Sequence, residues 1–168
     1  MLKMVKTDKD IEAAVRAWLK DKVKAEAEYG HISEWDTSSV IDFQGLFKGA
    51  VDFNEDLSRW DVSSGMYFSE LFCGAASFNS DLSSWIVDNS TTFRCMFCGA
   101  TAFNSDLSSW KVDKTKGFRT MFENAAAFNS DLSSWSVSKT ADICNIFIGA
   151  TAFINGPYFK KCKGKFKQ

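Results

Sequence analysis

Along most of this chain the apolar positions return on a fixed interval, and within each interval they change their spacing. Trp35, Trp60, Trp85, Trp110 and Trp135 stand 25 residues apart with nothing inserted or lost. The same frame collects Phe53, Phe78, Phe103, Phe128 and Phe153, then Phe47, Phe72, Phe97, Phe122 and Phe147. A third column holds Phe43, Phe68, Phe93 and Phe118, with Ile143 closing it. A constant interval of this length marks a solenoid, in which each unit hides its apolar face against the next. In Leu57, Trp60 and Val62, Trp and Val alternate at a spacing of two, which predicts a short strand. Phe68, Leu71, Phe72 and Ala75 then follow the i, i+3, i+4, i+7 stripe of a short helix, as do Phe93, Met96, Phe97 and Ala100. Ser90, Thr115 and Thr140 stand where N-caps are wanted, and Gly74, Gly99, Gly149 and Asn124 where left-handed C-caps are wanted. The unit reads strand, turn, two-turn helix, return.

Asp8 to Tyr29 follow another rule. Ile11, Ala14, Val15, Trp18, Leu19 and Val23 make one helical stripe among charges, with Thr7 or Asp8 as cap. An open solenoid end would leave an aromatic layer in water, so this helix is expected to lid the first unit. The chain divides into a capping helix over 1–30, five units over 31–157 and a basic tail over 158–168.

Composition sharpens this picture. Of 168 residues 16 are Phe, and three columns absorb 14 of them. Disorder does not fit an aromatic content of 15%, and no apolar run reaches the length of a membrane helix. The first residues lack the apolar stretch of a secretory signal, and five Cys cannot all pair within one chain, so a reducing, cytoplasmic setting is expected. The whole chain carries −1; residues 1–30 carry +1 and residues 158–168 carry +5, which leaves −7 on the repeats. An acidic body argues against nucleic acid as ligand. The Lys tail, with Phe159 and Phe166, could touch an anionic lipid surface, against the plainer reading of a solvated end.

The stretch FNSDLSSW over Phe78 to Trp85, followed by Met-Phe-x-Gly-Ala as at Met96 to Ala100, resembles the BspA-like surface-protein repeat of mycoplasma lipoproteins, gut bacteria and marine protists. The likeness runs from Gly30 to Ile154, and Ala25 to Ser38 looks like the lead-in segment of the protist members. That family is regarded as leucine-rich-repeat-like, and L-x-x-W-x-V is similar to its L-x-x-L-x-L strand. The resemblance implies an α/β repeat: a right-handed, leucine-rich-repeat-like solenoid of about five 25-residue units, each a short parallel strand plus a short helix. It also implies adhesion or protein binding without catalysis and with no cofactor or metal.

If Trp and Val face inward, then Asp36, Asp61, Ile86, Lys111 and Ser136 face outward, and Ser63, Asp88, Asp113 and Ser138 extend the same surface. These positions vary between copies while the core columns do not. Variation there permits a specific protein partner on the outward face of the sheet, and equally permits neutrality. Two alternatives stand beside a protein-interaction module: a structural subunit that stacks through its C-terminal layer, and an ice or mineral binder using Ser83/Ser84, Ser108/Ser109 and Ser133/Ser134. The plainer role for those Ser pairs is a turn that bonds its own backbone.

Asn54, Asn79, Asn104 and Asn129, with Asp56, Asp81, Asp106 and Asp131, form two polar columns. Calcium could neutralise stacked carboxylates, but the Gly-Gly-x-Gly-x-Asp repeat that does so is absent. Backbone N–H capture by Asp and an Asn ladder inside a turn are the expected roles. Cys95 and Cys98 make a C-x-x-C, yet the only His, His31, lies nearly three units away, which leaves zinc without a ligand set. Small apolar filling or a surface thiol fits these Cys better, and Cys73 with Cys98 is the one pair whose register could permit a bridge. No nucleophile and base stand together and no phosphate loop occurs, so enzymatic activity is not expected.

Overall fold

The computed structural model describes residues 5–155; the Lys tail and Cys162 lie outside them. The chain begins with two helices rather than one, α1 over Asp8–Lys20 and α2 over Lys22–Tyr29. Thr7 caps α1 through a capping box in which its backbone N–H donates to Asp10 at 3.1 Å and its hydroxyl accepts from Asp10 N–H at 3.3 Å. The expected single helix breaks at Asp21, whose backbone is extended and whose carboxylate accepts from Lys24 N–H at 3.2 Å. Asp competes for backbone donors inside a helix and suits an N-cap, so the charge that looked like helix surface is a joint.

Five 25-residue rungs follow, over 29–53, 54–78, 79–103, 104–128 and 129–153, and their aromatic columns stack. Phe47, Phe72, Phe97, Phe122 and Phe147 lie at centroid spacings of 5.5 to 5.7 Å, nearly parallel. Within a rung Phe72 stacks on Phe78 at 3.8 Å. From the second rung on, each indole N–H finds an acceptor one rung back: Trp60 donates to Ile32 C=O at 2.8 Å, Trp85 to Leu57 C=O at 3.0 Å, Trp110 to Leu82 C=O at 3.1 Å and Trp135 to Leu107 C=O at 2.9 Å. Burying a Trp without that partner would leave a costly donor, so the indole column fixes register as well as filling space.

The expected strands and short helices are not there. No β-ladder forms among the described residues: the rungs meet as isolated parallel bridges, Asp42 to Tyr67 to Thr92 to Gly117 to Asp142. The L-x-x-W-x-V frame is a pair of turns, closed by Trp60 N–H to Leu57 C=O at 3.0 Å and Gly65 N–H to Val62 C=O at 2.8 Å. Trp60 and Val62 alternate because one short extended step joins those turns. The stripe read as helix is a run of overlapping turns. Leu71, Cys73 and Ala75 donate to the carbonyls of Phe68, Glu70 and Phe72, while Phe68, Glu70, Phe72 and Gly74 donate to Thr92, Arg94, Met96 and Cys98 of the next rung. An α-helix spends all its interior donors on itself; here every second one ties rungs together. Gly74 and Gly99, at φ 74° and 71°, are left-handed members of this run and not helix C-caps. Ser90 and Thr115 are not N-caps either: their buried hydroxyls bond each other across rungs at 2.7 Å. The leucine-rich-repeat-like solenoid of strand and helix units is therefore replaced by a turn-built stack whose period, but not whose local structure, was visible.

At the N-terminal end α1 lies on the first rung. Ile11, Ala14, Val15 and Trp18 are buried, and Trp18 meets Trp35 edge to face at 5.8 Å. The N–H groups of Ile41 and Asp42 donate to Asp8 Oδ1 at 2.8 and 3.1 Å. In later rungs the corresponding donors, Met66 and Thr91, reach the carbonyls of Ile41 and Met66. A side-chain carboxylate thus stands in for the carbonyl of a rung that does not exist.

Candidate binding face

The outward column is built by the short extended step after each Trp. Its neighbours Trp60 and Val62 are buried, so Asp61 between them points out; Asp36, Ile86, Lys111 and Ser136 are exposed for the same reason. Ile86 is 58% exposed and places an apolar side chain in the middle of an otherwise polar column. The second column, Ser63, Asp88, Asp113 and Ser138, lies beside it, partly or fully exposed. This face is not the surface of a sheet, as the sequence pattern suggested, because no sheet forms. It is a row of turns held in register by the rungs beneath.

The structure brings several of these residues together. Asp36 and Asp61 accept the N–H groups of Ser38 and Ser63 at 3.2 and 3.0 Å, which pins both carboxylates. Hydrogen bonds from the Ser38 hydroxyl, then its N–H, hold the Asp36 carboxyl below its ordinary pKa. Lys111 pairs with Asp88 at 3.8 Å, linking the two columns across rungs, and Lys6 reaches Asp36 at 3.8 Å. Ser138 bonds Thr140 at 3.0 Å. Sequence reading missed a third column on this side. Asn89 donates to Ser63 C=O at 2.9 Å and Lys114 to Asn89 Oδ1 at 3.4 Å, so three rungs share one polar chain. The signal was present: this position too changes from Ser39 and Ser64 to Asn89, Lys114 and Lys139.

The Asn and Asp columns lie elsewhere on the stack and take the structural roles expected of them. Asn79, Asn104 and Asn129 N–H donate to the preceding Asn Oδ1 at 2.7 to 2.8 Å. Asp56, Asp81, Asp106 and Asp131 each accept a Ser N–H two residues on at 2.9 Å. That N–H holds the carboxyls of Asp56 and Asp81 below their ordinary pKa, with the charge of Asp56 partly opposing the effect at Asp81. Ser80, Ser105 and Ser130 accept the N–H groups of Leu57, Leu82 and Leu107 at 2.9 to 3.0 Å. Ser84, Ser109 and Ser134 donate to the carbonyls of Ser58, Ser83 and Ser108 one rung back. The second hydroxyl of each Ser pair therefore bonds a neighbouring rung rather than its own turn. Open grooves of about 350 and 400 Å³ run beside these columns.

A third cavity of about 400 Å³ lies between α1 and the first rung, lined by Trp18, Leu19, Lys22, Lys48, Val51 and Phe53. Lys22 sits 5.3 Å from the Trp18 ring and pairs with Glu55 at 2.5 Å, so the cavity wall is also a joint between cap and stack. Cys73, Cys95, Cys98 and Cys144 are free, partly buried thiols. Among the described residues no three His, Cys, Asp or Glu side chains converge as a metal set.

The family described as "Mycoplasma protein of unknown function, DUF285" matches residues 1–97 and 66–159. The chain belongs to the DUF285 family. No curated protein and no solved structure matches it. The two overlapping DUF285 matches take in both helices and all five rungs. Among the described residues, no helix of this DUF285 chain is long and apolar enough to cross a membrane.

Proposed function

We propose that this chain is a non-enzymatic protein-interaction module that binds a protein partner through Asp36, Asp61, Ile86, Lys111 and Ser136, flanked by Ser63, Asp88, Asp113 and Ser138. One observation carries the reading: these side chains project from a backbone that cross-rung bonds hold in register, and their chemistry varies along the stack, from Asp36 and Asp61 to Ile86, Lys111 and Ser136, while the columns beneath repeat. A rigid row of unlike side chains binds at low ordering cost and gains specificity from its sequence. The resemblance to BspA-like repeats supports adhesion or scaffolding as the setting. Crosslinking and mass spectrometry in native extract test it, comparing the wild type with the double variant Asp61→Lys, Lys111→Glu. The expected result is loss of the crosslinked partner set; unchanged recovery from the variant moves binding to another surface.

A second reading, a structural subunit that adds chain at its C-terminal end, has its own observation. Asn129 Oδ1 is buried without a donor, because Ile154, where the next Asn would fall, donates to Ala150 C=O inside α3 over Thr151–Ile154. Mass measurement across a concentration series separates the two, since self-association needs no added protein.

A further inference from the structure

The thiols of Cys73 and Cys98 occupy the same position on adjacent rungs. The backbone holds them in register: Phe72 N–H donates to Met96 C=O at 2.9 Å and Gly74 N–H to Cys98 C=O at 2.7 Å, one on either side of the Cys73 position. The next residues touch as well, for a Cβ built on Gly99 would lie 3.6 Å from Gly74 Cα. Neighbouring rungs held this closely bring paired Cα atoms within the reach of a disulfide, roughly 4.4–6.8 Å. Cys95 does not compete for this contact, because its Sγ meets the Thr120 hydroxyl of the following rung at 2.8 Å. The C-x-x-C spacing therefore misdirects: the partner of Cys98 is 25 residues away, not three.

From this we infer that Cys73 and Cys98 form an oxidation site, closing to an inter-rung disulfide that staples the second rung to the third. The oxidant is a low-molecular-weight disulfide such as oxidised glutathione. Cys73 Sγ, as thiolate, attacks one glutathione sulfur; the glutathione S–S bond breaks and one glutathione thiolate leaves. Cys98 Sγ, its proton lost to solvent, attacks the Cys73 sulfur of the mixed disulfide and expels the second glutathione. Two cysteine thiols are oxidised, one glutathione disulfide is reduced to two thiols, and both protons end on glutathione. The bridge closes a long loop of the unfolded chain and needs little native movement, so it should stabilise.

Burial, the largest cause, raises the Cys73 thiol above its ordinary pKa, and burial followed by the neighbouring Cys73 pushes Cys98 up to about 12. The site is therefore a slow one near neutrality, and its closure should quicken by about tenfold per pH unit between about pH 7 and 9, where an ordinary exposed thiol levels off near its pKa of ~8.5.

The test uses the purified full chain with oxidised glutathione, read by intact mass, by peptide mapping without reduction and by thermal melting. The expected result is a monomer lighter by two hydrogens, a crosslink mapping to Cys73 and Cys98, and a melting temperature higher by roughly 5–10 °C that dithiothreitol reverses. Cys73→Ser and Cys98→Ser should each lose the crosslink and the shift, while Cys95→Ser keeps both. Melting under reduction shows that each variant is folded before it is compared. A crosslink mapping to Cys95 with Cys98, a disulfide-linked dimer, or glutathione adducts alone would overturn the assignment, as would closure without any rise in melting temperature.

Discussion

The two ends of the stack solve the same problem unequally. Every interior rung both gives and receives backbone hydrogen bonds, so each end is left with groups that a missing rung would have satisfied. At the N-terminal end Asp8 accepts from Ile41 and Asp42, and Trp18 covers Trp35. At the C-terminal end nothing among the described residues accepts the N–H groups of Ile143, Asn145 and Gly149, and Asn129 Oδ1 lacks a donor. Rungs donate mainly toward the C-terminus along the turn run, so that end presents N–H groups and the other presents carbonyls. One carboxylate and one aromatic side chain take over two of the bonds and part of the stacking that a preceding rung would have supplied.

The comparison breaks first at Trp18. Trp18→Ala should cost about 3–5 kcal/mol, the usual penalty for emptying a buried aromatic site, and calorimetry should show it as the largest loss among cap substitutions. Next comes Asp8→Ala, which leaves two donors without an acceptor and should cost about 1–3 kcal/mol. Hydrogen exchange at Ile41 should then approach that at Ile143 and Asn145, whereas Asp8→Asn, which keeps an acceptor oxygen, should restore most of the protection. Equal exchange at both ends of the wild type would remove the distinction.

A smaller effect of opposite sign sharpens it. Gly45 in the first rung occupies a left-handed position at φ 64°, where the fourth rung has Thr120 at φ 54°. A β-branched residue pays to adopt that conformation, so Thr120→Gly should stabilise by about 1 kcal/mol, net of the lost contact to Cys95. Acid should act last, on the cap and on the stack alike. Asp10 in the cap and Asp56 and Asp81 in the stack have carboxyls held below their ordinary range by hydrogen bonds. Groups with depressed folded values stabilise above the unfolded pKa of about 4 and lose that contribution as pH falls through the folded value. Melting temperature should therefore be level above about pH 5 and decline below about pH 4.

How far the residues alone could be read depends on which bonds decide each feature. The interval of 25, the buried aromatic columns, the Asn ladder and the outward positions follow from side-chain character, which the sequence displays directly. The helix break at Asp21 was legible too, had the charge been weighed as a cap. The strand and helix assignments failed for a different reason. A stripe at i, i+3, i+4, i+7 states which side chains face inward, and overlapping turns of similar pitch produce the same stripe. Gly45 and Gly49 in one stripe were the available warning, since a helix interior has no use for both.

What the sequence determined by itself is the repeat: one apolar frame copied five times, with polar and variable positions assigned to fixed places within it. Only the tertiary structure decided how each copy spends its backbone. Half the donors of the turn run are satisfied by the neighbouring rung, a bond partner 24 residues away that no local pattern specifies. Secondary structure here is a consequence of stacking, and the same register that replaced the expected elements also set Cys73 beside Cys98.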